Sequence, residues 1–261
     1  IDSPDIPLNV SRSYLQADGN VKKISSYITR KVADKLKSLF TNNREDFQNK
    51  WNDIKIVLEY GMLTDEKFYE KANDFVLYPT TEGQYYTLSE LKEAIKANQT
   101  DKNDTLVVLY AQNKEQQYTA IEEAKAKGYQ VLLLDSPIVS HLIQKLEEKN
   151  EKLTFARVDA APLSKLIQKD EPILAKHSEE EKNTLKADIE KVLPKEGYMV
   201  QIEDLDSDDT PFVINQPEFM RRMKEMSATG GGGMFGAFPE MYHVVVNANA
   251  PLADAILAAD E

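Results

Sequence analysis

The chain has 261 residues, 41% hydrophobic and 29% charged, which is enough apolar material for a core and enough length for two domains. Its net charge of −12 excludes a nucleic-acid binder that works through a broadly basic surface, because phosphate affinity needs cations. The absence of cysteine excludes disulfides, thiolate catalysis and cysteine-built zinc sites and fits a reducing cytoplasm, and no apolar run reaches the roughly twenty residues that span a bilayer.

The chain begins in a loop. Pro4 and Pro7 keep residues 2–7 out of a helix, so Ser11 is placed to cap the helix that follows and Arg12 to stand in its first turn. Gln16 lies four residues on, on the same face, and its amide with the guanidinium of Arg12 would suit a phosphate. On spacing alone, a capped surface helix with a solvated arginine is the favoured reading.

A helical layer is predicted next. Ile24, Ile28, Val32, Leu36 and Leu39 recur at helical spacing, while Lys22, Lys23, Arg30, Lys31 and Lys35 take other faces and read as solvated. A second helix places Phe47, Trp51, Ile54 and Leu58 on one stripe, with Trp51 in the core, and stops at Gly61 as a left-handed cap. A third begins near Thr64, uses Phe68, Ala72 and Phe75, and ends before Pro79.

Strands and helices then alternate. Residues 105–110, 131–134 and 153–158 read as buried strands. Between them lie a helix over 115–127 closed by Gly128 and another capped by Asp135 or Ser136, with Pro137 at its first position. This order implies a small parallel sheet with helices on its faces. The turn 110–113 has no glycine-rich phosphate cradle, so the unit is read as structural.

Residues 161–176 suit a connector between a first domain, 1–160, and a second, 177–261. Ser178 and Glu181 form a capping-box pattern for a helix with Leu185, Ile189 and Val192 inside. Residues 199–205 and 211–214 read as strands around the acidic turn 206–209, which lacks the spaced ligands of a calcium loop and reads as solvated. His141, His177 and His243 are far apart, and no metal is assigned. Phe219, Met223 and Met226 fall at i, i+4 and i+7 with Met220 beside them, Arg221 and Arg222 taking other faces. In isolation this is an ordinary core helix. It runs into the glycines 230–233, so its adaptable apolar stripe reads as accessible to other proteins. A strand over 241–247 and a helix from 251 follow. The fold class is α/β (α+β overall): a helical layer, a small parallel α/β/α subdomain, then a mixed α+β domain.

The run Asp2-Ser3-Pro4-Asp5-Ile6-Pro7-Leu8-Asn9-Val10-Ser11-Arg12, with Leu15-Gln16 after it, resembles the middle-domain loop of the heat-shock protein 90 family of ATP-dependent chaperones, in its bacterial form. Residues 75–81 and 85–91 resemble the family more loosely. The resemblance implies that 1–160 is the later middle domain and 177–261 the front of a C-terminal domain, cut before the dimerisation helices. It implies that Arg12 reaches the γ-phosphate of ATP held by the N-terminal domain, that Gln16 assists it, and that Phe219, Met220, Met223 and Met226 contact unfolded or partly folded clients. ATP with Mg would serve the full-length protein and none is expected in this fragment, which alone would not hydrolyse ATP. The implied partners are clients, the protein's own N-terminal domain and, through residues beyond Glu261, a second copy; the implied setting is cytoplasmic, with neither nucleic acid nor an integral membrane segment. The alternative is a non-enzymatic scaffold or adaptor in which Arg12 is structural.

Overall fold

A computed structural model of the chain describes residues 19–170, 173–194, 196–216, 219–222 and 241–259, which form two compact units, Ile1–Leu77 and Tyr78–Glu261. The first is helical: α1 (Gly19–Asn42), α2 (Arg44–Asn49), α3 (Trp51–Thr64) and α4 (Glu66–Ala72). Its core is aromatic. Phe75 meets Phe47 and Phe68 edge-on with ring centroids 6.4 and 6.3 Å apart, Trp51 is buried beside them, and such edge-to-face pairs add to plain area burial.

The predicted second helix is two helices. Asn43 caps α2 by accepting from the amide of Asp46, and the chain turns at Lys50 before α3 begins. Gly61 does not stop α3, which runs to Thr64. Its role is close approach, since a Cβ there would lie 2.9 Å from the ring of Phe68, and Asp65 caps α4 instead. The stripe expected along α1 is only partly covered. Ile24, Ile28 and Leu36 are half-buried and Val32 and Leu39 exposed, whereas the buried Ala33 lies outside that stripe.

In the second unit, β1 (Tyr78–Pro79) and β2 (Tyr85–Tyr86) form a short antiparallel pair ahead of α5 (Leu88–Gln99), which Thr87 and Glu90 cap reciprocally. β3 (Leu106–Ala111), α6 (Tyr118–Ala126), β4 (Val131–Leu133), α7 (Val139–Lys149) and β5 (Leu153–Arg157) build the expected parallel sheet, in the order β4-β3-β5. α7 starts two residues beyond Pro137, and its N-cap, Ile138, has no side-chain cap hydrogen bond. The short helix α8 (Leu163–Leu166) brings Leu163 and then Ile167 into one core with Val107, Leu109 and Val131.

A second three-stranded sheet follows. α9 (Glu179–Val192) carries the predicted Ser178–Glu181 capping box, and β6 (Tyr198–Glu203), β7 (Phe212–Asn215), β8 (Tyr242–Asn247) and α10 (Pro251–Ala259) complete it. β6 and β7 do not pair with each other. β8 lies between them, parallel to β6 and antiparallel to β7. Leu185 and Ile189 of α9, Val200, Val244 and Val246 of the sheet and Ala253 of α10 share one core. Val192, expected inside, is 82% exposed at the end of its helix.

Candidate functional site

Of the residues that the sequence singles out, Arg12, Gln16, Met223 and Met226 lie outside the described residues; Phe219 and Met220 lie within them, in a helical turn over 219–222. Two arginines hold that turn. Arg221 is 5% exposed and donates to the hydroxyl of Tyr110 on β3 at 2.7 Å. Arg222 donates to Glu147 Oε2 on α7 at 3.0 Å and to the carbonyl of Phe155 on β5 at 2.8 Å. The other oxygen of Glu147 accepts from the Phe155 amide at 2.7 Å and the Thr154 hydroxyl at 3.2 Å. One carboxylate therefore ties α7, β5 and the arginine turn together.

This reverses the faces expected of the helix start. Arg221 and Arg222 point into the α/β subdomain, while Phe219 is 74% exposed and Met220 half-buried. The reason is chemical: a guanidinium can be buried when its donors meet carboxylate, hydroxyl and carbonyl oxygens. Those acceptors are supplied by distant sequence, so helical spacing gives no sign of them.

The acidic turn 206–209 keeps residues 206–208 exposed, as expected, but docks through its last residue, Asp209. The side chain of Asp209 is 2% exposed; it accepts from Lys127 at 2.7 Å and from the backbone amide of Ser164 at 3.2 Å. Burial disfavours the charged form of Lys127, but the hydrogen bond and charge of Asp209, with the charge of Asp206, outweigh it and raise this lysine above its ordinary range. Thr210 adds a bond to the carboxylate of Glu123 at 2.9 Å, and the side chain of Asn215 donates to the carbonyl of Ala160. These contacts fix the C-terminal sheet against the α/β subdomain, and with it the strand from which the 219–222 segment leaves.

At that end of the sheet further apolar side chains are exposed that the sequence reading did not single out. Tyr198, which is exposed, stacks on the half-buried Tyr242 across the β6–β8 pair with centroids 5.5 Å apart. Ile214 on β7 is 58% exposed, and Met199 and Met241 are also exposed. By register, Tyr198, Tyr242 and Ile214 share the face of the buried Val200 and Val244. The available signal was the start of β6, where Tyr198 and Met199 put apolar side chains on both faces of one strand end. Among the described residues no three His, Cys, Asp or Glu side chains gather as a metal site requires.

The profile of the family described as Hsp90 protein matches residues 1–232. The chain is 46% identical over its whole length to proteins named chaperone protein HtpG in Bacteroides fragilis, Porphyromonas gingivalis and Bacteroides thetaiotaomicron. In each case it covers 39% of the relative, so the chain spans about two fifths of the length of these relatives.

Proposed function

We propose, from the premise that this chain belongs to the Hsp90 protein family, that the protein carrying it is an ATP-driven chaperone that binds and remodels non-native proteins. Within it, 1–160 serves as later middle domain, 161–176 as connector and 177–261 as the front of the C-terminal domain. The observation that carries the reading is the exposed Phe219 on a turn anchored by Arg221 and Arg222. A rigid base with apolar side chains in solvent offers a non-native polypeptide apolar area to bury, at about 25 cal/mol per Å², without a large ordering cost on the chaperone's side. Tyr198 and Ile214 extend the same offer along the sheet end, and Met223 and Met226 continue it by sequence spacing.

The ATP chemistry rests on the loop at 2–16. Arg12 acts electrostatically on charge developing at the γ-phosphoryl group and Gln16 orients it, since phosphoryl transfer depends mainly on positioning and charge stabilisation. The ATP-binding domain and the dimer contacts belong to the rest of the protein, whose setting is the cytoplasm; among the described residues no helix is long and apolar enough to cross a membrane.

The test is the double substitution Phe219→Ser with Met220→Ser, assayed for binding to an unfolded model protein alongside a melting curve. Client binding is expected to weaken while the melting temperature barely moves. Unchanged binding by a folded double variant overturns the client-site assignment, as does a clear loss of stability, which would place these side chains in the core.

A further inference from the structure

Between the first half of α1 and the start of α4 lies an open cleft of about 510 Å³ whose lining is unlike the rest of this acidic chain. Lys22, Lys23 and Arg30 enter it from α1, and Asp65, Lys67 and Lys71 from the opposite wall. The spacing is that of two helix faces meeting: 22, 26 and 30 follow one another at four-residue steps on α1, and so do 67 and 71 on α4. The hydroxyl residues Ser26 and Thr29 lie among the cations.

Two of these charges are already committed. Asp65 accepts from the amide of Phe68 at 3.0 Å as the cap of α4, and Lys71 pairs with Asp34. The hydrogen bond from Lys71 is the largest influence holding the Asp34 carboxyl below its usual range, with weaker help from the charges of Arg30 and Lys31. Lys22, Lys23, Arg30 and Lys67 form no ion pair with another described residue. Arg30 stands over the ring of Tyr27, 5.5 Å from its centroid. In a chain with 44 acidic against 32 basic residues, lysines elsewhere readily find carboxylates, as Lys37, Lys50, Lys125, Lys127 and Lys152 do. Among the described residues, five cations line this cleft against the single carboxylate of Asp65, which leaves a net positive local field that an anion would relieve.

We infer that this cleft is a binding site for a compact polyphosphate, a ligand with three or more linked phosphate groups. Lysine ammonium groups meet phosphate oxygens as point charges, the Arg30 fork can meet them in pairs, and the hydroxyls of Ser26 and Thr29 can donate to the remaining oxygens. The volume matches a small ligand rather than an extended polymer. The net charge of −12 opposes a long nucleic acid, whose phosphates beyond the cleft would meet a repelling surface. The site is independent of the chaperone reading and of the role given to Arg12.

The test titrates sodium tripolyphosphate into the 261-residue chain at low ionic strength by calorimetry, with sulfate, an oligo-aspartate peptide and single-stranded DNA as comparison ligands. Expected are saturable one-to-one binding of tripolyphosphate, tighter than any comparison ligand, and a steady fall in affinity as salt rises. Lys22→Ala with Lys67→Ala should weaken it about tenfold or more, because charge-assisted bonds are lost from both walls. Both lysines are exposed, so the melting temperature should hold, and the paired arginine variant, Lys22→Arg with Lys67→Arg, should retain binding. Absence of saturable binding, an alanine variant that binds like the wild type, or a preference for the peptide or the DNA each overturns the proposal.

Discussion

Gly61 shows what a single hydrogen atom in place of a methyl does in this protein. Alanine is the better helix former by about 1 kcal/mol, and by propensity alone Gly61→Ala would strengthen α3. The added Cβ, however, would lie 2.9 Å from the ring of Phe68, which is 6% exposed and edge-on to Phe75. Overpacking of this kind costs typically about 1–3 kcal/mol and outweighs the propensity gain. Gly61→Ala is therefore expected to lower the denaturant midpoint, whereas Gly61→Ala combined with Phe68→Leu should recover part of the loss. The sequence shows a glycine at the end of an apolar stripe, for which a helix stop is the local reading; only the packing of α4 on α3 reveals why a side chain is excluded. Trp51, by contrast, was legible as core because its neighbours on the stripe lie within two turns of it.

At the scale of elements, the parts that sequence pattern identified were those whose stabilising partners are local. The Ser178–Glu181 capping box closes within four residues, and the parallel strands are continuous apolar runs, so both were readable in the chain itself. The helical turn over 219–222 behaves differently. Its orientation depends on Tyr110, Glu147 and Phe155, three groups supplied by the parallel sheet and its helix, and an amphipathic spacing assigns its arginines to solvent. Arg222→Ala should therefore loosen the turn without unfolding the sheet beneath it, because Glu147 keeps its bonds to Thr154 and Phe155. Loss of a hydrogen bond to a charged group costs about 1.5–3 kcal/mol. The expected readout is faster amide hydrogen exchange over 219–222, with exchange in β3 and β5 unchanged. Equal protection in wild type and variant would show that the guanidinium does not hold the turn.

At the scale of the whole molecule, the match to relatives more than twice as long places the catalytic claim beyond this chain. In the full-length protein, Arg12→Ala is expected to slow ATP turnover by about 10²-fold or more, the usual effect of removing one positioned donor from a developing negative charge, while nucleotide affinity changes little. Turnover within twofold of wild type at saturating ATP would reduce Arg12 to a surface residue. The order of strands in the second sheet carries a different consequence. β8, the last of these three strands to be synthesised, occupies the centre of its sheet, with β6 on one side and β7 on the other. Until β8 is made, neither earlier strand has its partner, and their backbone donors and acceptors wait unpaired. Long-range pairing of this kind forms late and slowly, so both edges of β6 and of β7 are open until then, and during its own synthesis the domain is the kind of aggregation-prone chain that other proteins must shield.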